Sequence, residues 1–124
     1  HFDHIGEAAR LHSAQLLIEK FAEFTQIVNA PMLLLGDFNA ELDSPVYLLL
    51  KGSFQDLSCS MRHRELCSEP TFNAFTLTAS DDKIIDYFFG SPGIVSIQFK
   101  VLKKHFDRSY PSDHFPLELT FISL

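Results

Sequence analysis

The chain has 124 residues, 46% of them hydrophobic and 13 of them Phe, which is enough apolar material for one packed core and too little length for two. Sixteen acidic against ten basic side chains leave a formal net charge of -6, which argues against tight, unassisted binding to a polyphosphate surface; a bound divalent cation would reverse that sign locally. No run reaches transmembrane length, and Cys59 and Cys67 have neither zinc-knuckle nor disulfide-scaffold spacing, so two buried or free thiols are expected.

His1-Phe2-Asp3-His4 opens the chain with three titratable groups in four residues. Glu7 to Val28 then reads as an amphipathic helix. Leu11, Ala14, Ile18, Phe21, Ala22, Thr25 and Val28 recur at spacings of three and four, polar residues lie between them, and Pro31 stops the pattern. Met32 to Leu35 reads as a short buried strand, and Gly36-Asp37-Phe38-Asn39-Ala40 follows where it runs out. A carboxylate and an amide two residues apart at the C-terminal edge of a strand sit where open α/β sheets place ligands. Asp37 can accept a proton or orient a water, and Asn39 offers a neutral donor to an anion. Taken alone, the same residues are equally good turn formers.

Ser44-Pro45 has the form of an N-cap followed by proline at the first helical position, opening a short helix to about Lys51 that Gly52 closes. Arg62, His63 and Arg64 form a compact basic cluster in the polar stretch from Ser58 to Pro70, read as solvated loop. Thr71 to Thr78, Lys83 to Phe89, Ile94 to Lys103 and Pro116 to Ser123 are candidate strands, and so many late strands imply an antiparallel or mixed sheet. Asp86 interrupts an apolar run, a costly place for a carboxylate unless something pairs with it. Asp113 and His114 are neighbours, so on a strand they face opposite sides; one is expected to aim at a metal or phosphate, the other at a partner such as Asp86. His12, His63 and His105 have no motif around them and are read as surface or packing residues.

The ordered set HFDHIGEAAR, PMLLLGDFNA, PTFNAF, KIIDYFF and YPSDHFPL resembles the C-terminal half of the endonuclease/exonuclease/phosphatase superfamily, over nearly the whole chain from His1 to about Leu119. GDFNA and SDHFP are each moderately specific, and in this order with IDYFF between them they are a strong signature. The resemblance implies an α/β (α+β) fold: a four-layer sandwich of which residues 1–124 would hold one mixed or antiparallel sheet with its flanking helices. Family members carry a further half upstream, with an Asn and a metal-binding Glu, so the chain is expected to hold half of a catalytic site and to turn over slowly alone.

The same resemblance implies a metal-dependent phosphoester hydrolase. Such a reaction needs an activated water, charge neutralisation at the phosphoryl group and help for the leaving oxygen. Asp37 is the candidate to orient or deprotonate water, Asn39 to donate to a phosphate oxygen, His114 to contact the phosphate or share the acid/base work, and Asp86 to hold the tautomer of His114. His1 matches the strand-end His that faces the scissile phosphate. Asp113, with Asp37, is the candidate ligand of Mg²⁺, or of Mn²⁺ as the alternative. Asp3 and His4 match the family pattern too, with a structural role involving Arg10 as the competing reading.

DNA, RNA, sugar phosphates, inositol phosphates and sphingomyelin all remain open as substrates. Nucleic acid is thus one partner among several, and oligomeric state is open. Two other classes compete. HFDHIG also looks like the tail of the His-x-His-x-Asp-His signature of metallo-β-lactamase-type zinc hydrolases, although His63, His105 and His114 lack the strand-end contexts which that fold requires. A non-catalytic remnant or interaction module is the other. The hydrolase reading demands that Asp37, Asn39, Asp86, Asp113 and His114 converge at one end of the sheet, with His114 within hydrogen-bonding reach of Asp86.

Overall fold

A computed structural model describes residues 1–59, 68–77 and 83–124. Among the described residues there are two helices and five strands, the strands all paired antiparallel. In chain order these are α1 (Glu7–Ile27), β1 (Leu33–Asp37), α2 (Pro45–Ser53), β2 (Gln55–Asp56), β3 (Asp86–Gly90), β4 (Ile94–Val101) and β5 (Leu117–Ser123). β1, β3 and β2 form one sheet in that order, and β4 pairs with β5 in a second. The expected single sheet is therefore two among the described residues, joined by side-chain packing in which the rings of Phe88 and Phe99 meet at 6.3 Å.

α1 matches the predicted helix within a residue, but its inward stripe is shorter than the periodicity implies. Leu11, Leu17 and Ile18 pack on the core beside the fully buried Ala14, whereas Ala22, Thr25 and Val28 are exposed. The reason is length: α2 has only nine residues, and the last inward contact of α1 is the edge-to-face pair of Phe21 with Phe54, 4.7 Å between centroids. In α2 the Ser44 hydroxyl accepts from the Tyr47 amide at 3.3 Å with Pro45 in the first turn, as the sequence predicts. Gly52 does not close it. The helix runs on to Ser53 and ends at an extended Phe54.

β1 is an edge strand rather than a buried one, with Leu35 57% exposed. β2, two residues long, gives no periodic signal in the sequence. It is anchored by Asp56, which accepts from the Tyr47 hydroxyl at 2.8 Å and from the amides of Ser58 and Cys59 at 2.9 and 3.1 Å. The stretch predicted as a strand from Thr71 is a turn through residue 77, with Thr78 outside the described residues. Asn73 Oδ1 accepts the Phe75 amide at 2.8 Å and its carbonyl accepts the Thr76 amide at 2.9 Å, which sets Ala74 and Phe75 at positive φ. Cys59 is disulfide-bonded, against the expectation of free thiols; Cys67 and the Arg62–His63–Arg64 cluster lie outside the described residues.

The core is aromatic. Phe38, Tyr47, Tyr87 and Phe89 are almost fully buried and pack at centroid distances of 5.1 to 6.2 Å, with Val46 and Leu50 of α2 against them. Gly90 is there for space: a Cβ would come within 2.8 Å of Leu57. No helix among the described residues is long and apolar enough to cross a membrane.

Tyr87 ties this core to the strand ends above it. Its hydroxyl lies 2.8 Å from the Ala40 carbonyl and 2.6 Å from that of Ile84, so one donor serves the segments after Asn39 and before Asp86. Tyr87→Phe leaves both buried carbonyls without that donor and is expected to cost about 1–3 kcal/mol. Denaturant unfolding measures it; a cost below about 0.5 kcal/mol would show that the hydroxyl holds nothing.

Candidate active site

In the antiparallel ladder Asp37, the last residue of β1, stands directly opposite Asp86, the first residue of β3. Gly36, at φ +148, precedes Asp37 in a conformation that side-chain-bearing residues seldom adopt. Asp37 then folds the chain back on itself. Its Oδ1 accepts the Asn39 amide at 2.7 Å and its Oδ2 accepts from Asn39 Nδ2 at 3.1 Å, which explains the positive φ of Asn39. The turn reading of GDFNA is borne out, and the same turn leaves Asp37 and Asn39 side by side at the strand end.

His114 comes between the two carboxylates from the other end of the sequence. Its Nδ1 is 2.9 Å from Asp86 Oδ2 and its Nε2 is 3.8 Å from Asp37 Oδ2. Asp113, in a bend before β5, lines the same cavity as His114. His1 reaches the site from the opposite side, with Nε2 3.6 Å from Asp37 Oδ2 and 3.4 Å from Asn39 Nδ2, and is 68% exposed. The five residues expected to converge do so at one end of the β1–β3 ladder. Asp37, Asn39, Asp113 and His114 border an open cavity of about 540 Å³ that His1, His4, Arg10, Glu41 and Lys83 also line, while Asp86 lies behind His114, outside the cavity wall.

Asn39 is placed differently from its expected task. Its amide hydrogens are directed at Asp37 and at the Phe2 carbonyl, 3.0 Å away, so the first thing it does is fix the Asp37 carboxylate. Donation to a phosphate oxygen requires giving up one of these bonds. Asp3 is structural: its carboxylate accepts from the Ile5 amide at 2.8 Å, its carbonyl accepts from Arg10 at 3.0 Å, and the backbone amides of Ile5 and Gly6 hold its pKa below the ordinary value. His4 lines the cavity. His12 and His105 are exposed, with the ring of His105 against Tyr110, and His63 lies outside the described residues.

Burial alone would push the His114 imidazole to a lower pKa. The hydrogen bond and charge of Asp86, helped by the charges of Asp37 and Asp113, outweigh that and raise it above the ordinary value. Burial also raises Asp86, against the hydrogen bonds from Thr71 and His114. Among the described residues, Asp37, Asp86 and His114 are the groups whose ligand atoms lie within 4.8 Å of one another, as a metal site requires. The donor chemistry suits a cation: Mg²⁺ takes one or two carboxylates and completes its shell with water and phosphate oxygens. Asp113 stands outside this cluster, on the wall of the same cavity.

Residues that the sequence reading missed hold the His114 segment in place. The Asp113 carbonyl accepts the amides of Asn73 and Ala74 at 2.7 and 3.2 Å, and Asn73 Nδ2 donates to the Ser112 carbonyl at 3.1 Å. The Phe115 amide donates to the Thr71 carbonyl at 2.7 Å. The PTFNAF motif was visible, but a turn of this kind carries no periodicity that would expose its purpose.

A two-sheet α+β scaffold thus brings two opposed carboxylates, an amide and imidazoles to one end of the β1–β3 ladder. The chain belongs to the Endonuclease/Exonuclease/phosphatase family, whose model matches residues 1–114. It is similar to a functionally unknown conserved protein from Enterococcus faecalis V583, 32% identical with a TM-score of 0.83, over 100% of this chain and 48% of that one. It is also similar to a mannosyl-6-phosphatase from Bacteroides thetaiotaomicron VPI-5482, at 30% identity and TM-score 0.84 over 98% of this chain and 49% of that one. A further family protein from Bacteroides thetaiotaomicron matches at 30% identity and TM-score 0.82, over 99% of this chain and 48% of its own. The chain therefore spans about half the length of these solved relatives. No curated protein matches it. The family match leaves the zinc-hydrolase reading without support.

The Asp86–His114 pair has a pH signature. A histidine whose folded pKa is raised adds stability that is fully present below its unfolded value, about 6.5, and is lost as pH rises through the folded value. Asp86→Asn should lower the His114 pKa, read from ring-proton shifts in an NMR titration, and remove that loss of unfolding free energy above about pH 6.5. An unchanged His114 titration would show that the pair is not coupled.

Proposed function

We propose that this chain supplies the Asp37, Asn39, Asp86, Asp113, His114 and His1 portion of the catalytic site of a phosphoester hydrolase dependent on a divalent cation, Mg²⁺ in the first instance. The observation that carries the reading is His114, hydrogen-bonded to Asp86 through one ring nitrogen and presenting the other toward Asp37 at the edge of an open polar cavity. Family membership and a phosphatase among the similar structures support it.

Each residue has a task that its surroundings favour. Asp37, held by Asn39, orients the attacking water and accepts its proton. Asp86 fixes His114 with Nδ1 toward itself, leaving Nε2 free to meet a phosphoryl oxygen or pass a proton to the leaving group. His1 stands across Asp37 from His114 and contacts the phosphoryl group from that side. Asp37, from within its cluster with Asp86 and His114, and Asp113, from the wall of the same cavity, would hold the cation, which would supply charge neutralisation at the phosphoryl oxygens. The mannosyl-6-phosphatase neighbour favours a sugar phosphomonoester over a nucleic acid backbone, as does the net charge of -6.

The test is metal-dependent hydrolysis by the protein at the length of its relatives, with p-nitrophenyl phosphate, bis-p-nitrophenyl phosphate and hexose 6-phosphates compared. Activity should vanish with EDTA and return with Mg²⁺. Asp37→Asn and His114→Ala should each lower kcat by about 10²–10⁴-fold with little change in unfolding midpoint. Full activity in both variants would refute these roles, and an absence of metal-dependent turnover on every phosphoester would favour the interaction-module reading.

A further inference from the structure

The segment Ser112 to Phe115, which carries Asp113 and His114, lies before β5 begins, and its strand-like pairing is the isolated bridge of His114 with Phe72. A turn holds it instead. The Asp113 carbonyl accepts the amides of Asn73 at 2.7 Å and Ala74 at 3.2 Å, the Ser112 carbonyl accepts Asn73 Nδ2 at 3.1 Å, and the Phe115 amide donates to the Thr71 carbonyl at 2.7 Å. All but the last come from Asn73 and the residue after it. Two consecutive amides converge on one carbonyl here because the chain turns sharply behind them: the Thr76 amide donates to the Asn73 carbonyl at 2.9 Å, with Ala74 at φ +51 and Phe75 at φ +59. A turn with both central residues at positive φ suits glycine or asparagine, and it costs alanine and phenylalanine free energy. Asn73 offsets that cost. Its Oδ1 accepts the Phe75 amide at 2.8 Å inside the turn while its Nδ2 serves Ser112 outside it, and the residue is 8% exposed. One amide group thus shapes the turn with its acceptor and grips the loop with its donor.

We propose that Asn73 is a positioning residue whose side chain holds the strained turn that fixes Asp113 and His114 in the cavity, and that it sets the turnover rate in this way. This rests on the catalytic reading of those two residues and adds to it a group that does not itself line the cavity. Strained backbone beside a site persists only where its surroundings enforce it. Without the Asn73 amide group, Ala74 and Phe75 are free to leave positive φ, the two backbone amides part from the Asp113 carbonyl, and the Ser112 carbonyl loses its donor. The loop then samples positions in which Asp113 and His114 no longer face the reacting group together. A displacement of about 1 Å is enough to slow a reaction about 10²-fold.

The test has two readouts, both in the protein at the length of its relatives. In amide hydrogen exchange followed by NMR, Asn73→Ala should speed exchange at Ala74 and Phe115 by about tenfold or more, and leave unchanged the amides of Phe38 and Leu57, which are bonded to the Ile85 and Phe88 carbonyls. A role in overall stability alone would move both sets together. In hydrolysis, Asn73→Ala should lower kcat by about 10–100-fold with KM within about threefold. Adding Ala74→Gly, which takes positive φ without strain, should return about threefold or more of that loss. If Asn73→Ala does not fold, Asn73→Asp, which keeps the acceptor for Phe75 and loses the donor to Ser112, takes its place in both measurements. A folded variant that keeps wild-type kcat, or wild-type exchange at Ala74 and Phe115, overturns the proposal, as does one that exchanges faster at both sets alike or regains nothing from Ala74→Gly. Local exchange that rises as expected in a protein with no phosphoester activity supports the hold of Asn73 on the loop and refutes the hydrolase reading, so the two failures are distinguishable.

Discussion

The site depends on one unfavourable juxtaposition: Asp37 and Asp86 are opposed across an antiparallel ladder, where like charges destabilise the pair. Something positive has to stand between them. His114 does so, close to both carboxylates and bonded to one. Register therefore dictates topology. A residue from the end of the chain must reach the mouth of a ladder formed by β1 and β3, and the loop from Ser112 to Phe115 must be held there against its own freedom. The turn from Thr71 to Leu77 supplies that restraint almost wholly through backbone bonds, with the Asn73 side chain adding one to the Ser112 carbonyl.

Rigidity beneath the site comes from a different source. Phe38 lies between the two site residues of GDFNA and points down into the aromatic core, where it meets the rings of Phe2, Tyr87 and Phe89. Burying one ring between two polar residues turns Asp37 and Asn39 up together and pins their backbone. Tyr87 performs the matching task on β3, one residue beyond Asp86, with a ring in the core and a hydroxyl on the chain segments that enter and leave the site. The site is thus floored by strand ends and packed rings and closed by turns, the arrangement that keeps functional groups within small tolerances.

Both helices and four of the strands were legible: α1 from its apolar spacing, α2 from Ser44-Pro45, β1 from its apolar run, and β3, β4 and β5 from β-rich runs. Asp86 was legible as a carboxylate that needed a partner, whereas Asp113 and His114, expected on a strand, lie before β5 begins and line the same cavity. What failed was local. β1 reads as buried because its leucines are contiguous, yet burial depends on what lies across the sheet, and Leu35 is open to solvent. Thr71 to Leu77 reads as a strand because Thr and Phe favour strands, but the Asn73 side chain competes for the backbone and wins. Gly52 reads as a helix stop, whereas Phe54, drawn onto Phe21, sets the end.

Charge links the cavity to its chemistry. The cavity presents Asp37, Asp113, Glu7 and Glu41 against Arg10, Lys83 and the imidazoles, so a phosphate entering it meets more negative than permanently positive groups. At about 4 Å, even in a medium of effective dielectric near 20, each unit of repulsion is of the order of 4 kcal/mol, more than the binding energy of a small phosphoester can absorb several times over. The imidazolium of His114 offsets part of it, and its raised pKa keeps that charge in place toward neutral pH. The remainder calls for a cation between carboxylate and phosphate. A carboxylate pair this close to a single imidazole is thus poorly suited to hold an anion alone and well suited to share a divalent ion with one, which is why metal dependence and the Asp86–His114 pair belong to the same proposal.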